Sequence, residues 1–163
     1  METYRLKIKD MGAVKDEIAH LKAEGQRIVF TNGCFDILHS GHARYLFAAR
    51  QLGDHLVVAV NSDRSVKAIK ESGRPIVAQE DRAELVAALG CVDTVLIFDE
   101  DNPYNVIKGL RPDVLVKGGD WAEEEIIGAD LVKEAGGTVE RISFVTGYST
   151  TDIIARIRSQ EPR

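Results

Sequence analysis

The chain has 163 residues, 44% hydrophobic and 29% charged, which suits a single globular domain able to bury a core without staples. A net charge of −5 argues against an overall nucleic-acid footprint, so an anionic substrate would need a local cluster of cations and N–H groups. Two distant cysteines, Cys34 and Cys91, no C-x-x-C pair, no apolar leader in Met1–Asp10 and no membrane-length apolar run argue against a disulfide framework, a cysteine zinc site and a membrane span, and leave a cytoplasmic protein as the expectation.

Val14, Ile18 and Leu21 recur at helical spacing over Met11–Glu24, with Gly25 as a stop, so residues 1–25 are expected as an N-terminal helical extension of a single domain spanning 1–163. The apolar run Arg27–Thr31 predicts a strand, and His42–Leu52 a helix ended by Gly53. A strand His55–Val60 leads into the polar segment Asn61–Arg74, and Glu80–Leu89 reads as a helix closed by Gly90. Next come the strand Thr94–Phe98, a short helix from Pro103, the strand Asp113–Val116 and a helix Glu123–Ala135 despite Gly128. The last strand is Thr138–Phe144 and the last helix Ser149–Arg158, with Ser149 or Thr150 as N-cap. Strands that are continuous Val/Ile/Leu runs alternating with helices predict a doubly wound α/β fold whose parallel sheet is covered on both faces. Ligands then bind beyond the carboxyl ends of the strands. Every unusual segment follows a strand, at 32–42, 61–74, 99–102, 117–121 and 145–151, so the five converge on one site.

The most informative of these is Asn32-Gly33-Cys34-Phe35-Asp36-Ile37-Leu38-His39-Ser40-Gly41-His42. A glycine-containing loop between a buried strand and a helix start offers free N–H groups and the positive end of a dipole to a phosphate. Two imidazoles there can each donate to a phosphoryl group, and Gly41 allows close approach. Capping or surface histidines and a metal pair are the alternatives. The His-x-x-His spacing lacks the helical frame of a zinc motif and two further ligands. Cys34 admits a nucleophile reading, with His39 as base, against that of a small apolar filler.

The run from Gly33 to His42 resembles the HxGH signature of the nucleotidyltransferase superfamily of cytidylyltransferases and adenylyltransferases. With Asn61-Ser62-Asp63, Lys117-Gly118-Gly119-Asp120 and Ser149-Thr150-Thr151, the chain is most similar to bacterial heptose 1-phosphate adenylyltransferases. These occur alone or as the C-terminal half of a bifunctional kinase/adenylyltransferase, and the chain resembles the stand-alone form. The resemblance implies a Rossmann-like five-stranded sheet of order 3-2-1-4-5. It also implies transfer of AMP from ATP to a sugar 1-phosphate with release of pyrophosphate and no covalent enzyme intermediate. Mg2+ would be carried on the phosphates rather than in a protein cage. Transfer of CMP to glycerol 3-phosphate or another polyol phosphate, and a non-catalytic nucleotide-binding module, are the competing expectations.

On this reading His39, His42 and the mobile cation Lys67 are catalytic. Gly33, Cys34, Phe35, Gly41, Lys117, Gly118, Asp120, Ser149, Thr150 and Thr151 bind the nucleotide, and Asp36, Asn61, Asp63 and Arg74 bind the acceptor. Each polar segment also has a plainer role, as loop, turn or cap. The cytidylyltransferase pattern has Arg-Thr where Phe144-Val145 stand here, which removes that arginine's triphosphate contact and leaves Lys67 or Arg82 to replace its charge. Arg82 stands at a helix start, where the dipole disfavours a cation; a substrate contact or a carboxylate partner would explain it. The partners expected are ATP and a sugar phosphate, with no nucleic acid and no membrane, and helix 11–24 as a candidate dimer element.

Overall fold

In the computed structural model, which describes residues 3–119, 122, 125–143 and 149–159, β1 (Ile28–Gly33), β2 (His55–Asn61), β3 (Thr94–Phe98), β4 (Val114–Gly118) and β5 (Thr138–Ile142) form one parallel sheet. The order is 3-2-1-4-5, as the Rossmann-like reading expects. The order reverses between β1 and β4, which opens a crevice at their carboxyl ends.

Side chains alternate across β1 and β2, and both faces are roofed. Ile28, Phe30, Val57 and Ala59 point into one core with Val14 and Ile18 of α1 (Met11–Ala23) and Val106, Ile107 and Leu110 of α5 (Tyr104–Leu110). Val29, Leu56, Val58 and Val60 point into the other, with Tyr45, Leu46 and Ala49 of α2 (Ser40–Arg50) and Ala83, Val86 and Ala87 of α4 (Gln79–Ala87). Burial on both sides is why the strands read as unbroken apolar runs. Each buried Val, Leu, Ile or Phe among them contributes about 1.5–3 kcal/mol.

The N-terminal segment is built into this core. Lys9 N–H donates to the Val95 carbonyl at 2.9 Å, and the apolar face of α1 that a dimer would use packs on the chain's own sheet.

The structure moves several boundaries. β1 and β4 run on to Gly33 and Gly118, and α2 starts at Ser40 rather than His42. The polar segment after β2 contains α3 (Asp63–Ile69), capped by the Ser62 hydroxyl on Ser65 N–H. The expected helix 123–135 reduces to α6 (Ala129–Glu134), with Glu123 and Glu124 outside the described residues. The reason is Gly128, at φ +86, with an Ile107 methyl 2.6 Å from where a Cβ would stand; no other residue fits there, and the helix begins after it. α7 (Thr150–Ser159) starts one residue later than expected, and the Ser149 hydroxyl accepts from Asp152 N–H at 3.0 Å.

Candidate active site

The loop between β1 and α2 has a strained backbone. Phe35 (φ +49) and Ile37 (φ +56) are both left-handed, at about 1–3 kcal/mol each. A Cβ at Gly33 would stand 3.0 Å from the Phe35 ring, so the tight turn favours glycine there. Asp36, between the two strained residues and 1% exposed, fixes the turn. Its carboxylate accepts from the Ile76 and Val77 amides, each at 2.9 Å, and from Arg74 Nε at 2.6 Å. Burial alone would push this carboxyl up, but the two amides and the guanidinium outweigh it and hold it below the usual range. The Asp36 carbonyl accepts from the Thr150 hydroxyl at 2.7 Å, which docks the start of α7 on the loop. Asp36 and Arg74 thus hold each other and the segment 74–77.

His39 is the N-cap of α2 and His42 its third helical residue. The two rings stack with centroids 3.9 Å apart and planes 25° from parallel. His39 N–H points to His42 Nδ1 at 3.4 Å, and the Phe35 ring lies 5.4 Å from that of His42. Burial, and secondarily the neighbouring His39, push His42 down to about 4, and burial also lowers His39. Both rings are therefore neutral at pH 7, each with one N–H to donate. His39 Nδ1 is buried with no hydrogen-bond partner. Gly41 lies in the same first turn, where backbone N–H groups have no intrahelical acceptor.

Arg82 is fully buried. It donates to the Cys34 carbonyl at 2.5 Å, to Asp63 at 2.8 Å and to the Val77 carbonyl at 2.9 Å. This carboxylate pairing accounts for a cation at the start of α4, and it ties the phosphate-loop candidate to α3 and to the segment before α4. Asn61 is occupied likewise, donating to Ser65 Oγ at 2.9 Å. Lys117 Nζ donates to Asn32 Oδ1 at 2.7 Å, and burial pushes its ammonium down to about 8. Burial raises the Cys34 thiol despite the opposing charges of Lys70, Arg82 and Arg74, so the group stays protonated, which favours the filler reading over the nucleophile.

The fold therefore brings His39, His42, Gly41, the loop 33–36, Asp63, Arg74 and Lys117 to the carboxyl edge of the sheet around β1. Lys67 is exposed in the last turn of α3. Gly118 ends β4, and Gly119 (φ +99) donates its N–H to the Ile142 carbonyl. Thr151 is exposed on α7. Asp120 and Trp121, and the segment 144–148 with Phe144 and Val145, lie outside the described residues. Sequence reasoning placed Asn32 in the loop without its Lys117 partner, and it missed the role of Tyr45, whose hydroxyl joins Thr31 at 2.7 Å and the Val116 carbonyl at 3.2 Å. A polar residue inside an otherwise apolar strand, as Thr31 and Asn32 are, was the available signal. Among the described residues no three His, Cys, Asp or Glu side chains converge as metal ligands.

A family model described as cytidylyltransferase-like matches residues 30–156. Curated relatives include the bifunctional protein HldE of Geobacter sulfurreducens, 51% identical over 93% of this chain and 31% of that protein, and that of Syntrophotalea carbinolica, 49% identical over 94% of this chain and 31% of that protein. The chain thus spans about a third of the length of the curated relatives it matches. Among solved structures, the lipopolysaccharide core biosynthesis protein from Thermoplasma volcanium GSS1 superposes with a TM-score of 0.60 at 29% identity, covering 76% of this chain and 99% of that one. An Archaeoglobus fulgidus protein of unknown function shares the fold alone, at 22% identity, a TM-score of 0.53 and coverage of 74% of this chain and all of its own. With a family match that takes in the strained loop, both histidines and four of the five strands whole, the chain belongs to the cytidylyltransferase-like family.

Proposed function

We propose that this chain is a nucleotidyltransferase that moves AMP from ATP to a sugar 1-phosphate, heptose 1-phosphate, and releases pyrophosphate. The observation that carries this is the stacked pair of neutral imidazoles on the first turn of α2. The first turn of α2 thus carries imidazole donors, backbone N–H groups and the positive end of the dipole side by side, which suits charge developing on a phosphoryl group. A phosphate oxygen of the sugar attacks the α-phosphorus, the bond from that phosphorus to the bridging oxygen breaks, and the electron pair leaves with pyrophosphate. No protein nucleophile is needed, because such transfers depend on positioning and charge stabilisation. His39 and His42 stabilise the α-phosphate and the leaving group, the backbone of Cys34 and Phe35 faces the triphosphate, and exposed Lys67 is the mobile cation.

The choice of an activated sugar is supported by the bifunctional HldE relatives and by a structural neighbour described as a lipopolysaccharide core biosynthesis protein. Mg2+ fits as an ion carried by phosphate oxygens and water, since the carboxylates of Asp36 and Asp63 already accept from Arg74 and Arg82; when bound it neutralises charge on the triphosphate. No described helix is long and apolar enough to cross a membrane.

The test is pyrophosphate release with ATP, CTP and GTP against a panel of sugar and polyol phosphates. Turnover with ATP and heptose 1-phosphate is expected. Turnover with CTP and glycerol 3-phosphate alone would move the assignment to a cytidylyltransferase of polyol phosphates, and none with any pair would leave a nucleotide-binding module.

A further inference from the structure

The ladder between β1 and β4 runs through Val29–Val114 and Phe30–Leu115, while β1 goes on pairing with β2 as far as Gly33 and β4 with β5 as far as Gly118. At the next residue of each strand, Thr31 and Val116, a phenol from α2 lies between the two. The Tyr45 hydroxyl is 2.7 Å from Thr31 Oγ1 and donates to the Val116 carbonyl at 3.2 Å. A phenol has one hydrogen to give, so the Thr31 hydroxyl donates to Tyr45, and a chain of two hydrogen bonds runs from β1 through α2 to β4. Burial pushes the phenol up to about 12, so it keeps that hydrogen near neutral pH. The buried side chains of α2 are Tyr45, Leu46 and Ala49. Leu46 and Ala49 make apolar contacts, which set no direction. The Tyr45 hydroxyl makes directional ones, and these fix how far α2 can slide or turn on the sheet. Tyr45 stands one turn after His42, on the same side of the helix, and the His42 ring stacks on that of His39.

We propose that Tyr45 is a positioning residue: its hydroxyl, tied to Thr31 and Val116, sets where His39 and His42 stand relative to the crevice between β1 and β4. Through the two imidazoles it sets the alignment of the transferring phosphoryl group. The kinetic consequence rests on the nucleotidyltransferase reading, whereas the placing of the imidazoles does not. A group that acts through alignment affects the chemical step and leaves ground-state binding of the nucleotide alone.

The experiment compares wild type with Tyr45→Phe, which removes the hydroxyl and keeps the ring in the core. Thr31→Val and Thr31→Ser remove and keep the donor from β1. Val106→Ala opens a cavity in the opposite core and weakens the fold away from the site. Pyrophosphate release from ATP and heptose 1-phosphate gives kcat and KM, thermal melting gives stability, and NMR of the imidazoles follows His20, His39, His42 and His55. In Tyr45→Phe and Thr31→Val, kcat should fall about ten- to a hundredfold, with the KM for ATP within about twofold of wild type. Thr31→Ser should keep kcat within about threefold, and Val106→Ala should melt earlier than wild type and keep its kcat. The His42 signals should move in Tyr45→Phe, while those of His20 and His55 stay. The proposal is overturned by a kcat of Tyr45→Phe no lower than that of Val106→Ala, by a loss carried in KM, by Thr31→Ser as slow as Thr31→Val, or by His42 signals that stay in place. Each of these describes a tyrosine that serves the fold alone or the nucleotide. A wild-type chain that releases no pyrophosphate would sink the transferase reading. The His42 signals then decide the positioning by themselves: their movement upholds it and their stillness ends it.

Discussion

Arg74 Nε lies 2.6 Å from Asp36 Oδ2, and both side chains are shut away from solvent, at 8% and 0% exposure. This pair joins the strained loop after β1 to the segment that leads into α4. Two of the four residues that sequence reasoning assigned to the acceptor substrate are therefore first of all each other's partners. A role for Arg74 toward a substrate has to use the guanidinium nitrogens other than Nε.

Asp36→Asn tests this bracing. The amide removes the charge that Arg74 pairs with and puts an NH2 where the Ile76 and Val77 amides now donate. Breaking one side of a buried pair costs about 3–5 kcal/mol, and the left-handed Phe35 and Ile37 lose the group that holds them. Chemical denaturation should register that loss. ATP affinity should fall further than the stability change explains, because the loop amides lose their alignment. A variant as stable as wild type would mean that the brace is dispensable.

Arg82→Met tests the second brace. Three partly buried acceptors, the Cys34 and Val77 carbonyls and the Asp63 carboxylate at 35% exposure, lose their fully buried donor together. The expected cost is about 2–3 kcal/mol, less than for a fully buried pair because water reaches the Asp63 carboxylate, read as a lower denaturation midpoint. A cost below about 1 kcal/mol would instead suit an arginine kept for substrate.

The sheet was legible because its strands are buried on both faces. The apolar–polar alternation of a one-sided strand gives way to runs such as Leu-Val-Val-Ala-Val at 56–60, which only a two-sided core explains. The placement of both histidines at a helix start was legible because a glycine-containing loop follows a buried strand there. The roles of Asp36, Arg74, Asp63 and Arg82 were not, because a charged residue after a strand looks the same whether it faces a ligand or a partner distant in the chain. Pairings such as Asp36 with Arg74 or Asn32 with Lys117 arise from the sheet order and the loop path, which spacing along the chain does not encode. The break at Gly128 was hidden for the same reason: it comes from an Ile107 methyl across the α5–α6 contact.

Cys34 should behave as a filler. Burial outweighs three nearby cations and raises its thiol, so alkylation by iodoacetamide at pH 7.5 should run roughly tenfold slower than that of a free thiol. Cys34→Ser should keep turnover within about threefold, because on the proposed reading residue 34 meets the triphosphate through its backbone and its side chain takes no part in bond making. Fast alkylation together with complete loss of turnover in the serine variant would restore the nucleophile reading.

The strongest pH signature belongs to His42. Its imidazole is held at about 4 in the folded chain against an ordinary 6.5, so between those values the unfolded chain binds the proton and the folded chain does not. Stability is then complete above pH 6.5 and declines as the pH falls from 6.5 toward 4. His42→Asn should flatten that decline by on the order of 2 kcal/mol, after allowance for the partial exposure of the ring. A triphosphate at the start of α2 acts in the opposite direction, since its charge favours the imidazolium. Binding of ATP at pH 6 should therefore take up a few tenths of a proton more in wild type than in His42→Asn, measured by calorimetry in buffers of different ionisation enthalpy. Equal proton uptake by the two proteins would mean that the triphosphate does not lie against this ring, and would remove His42 from the transfer step.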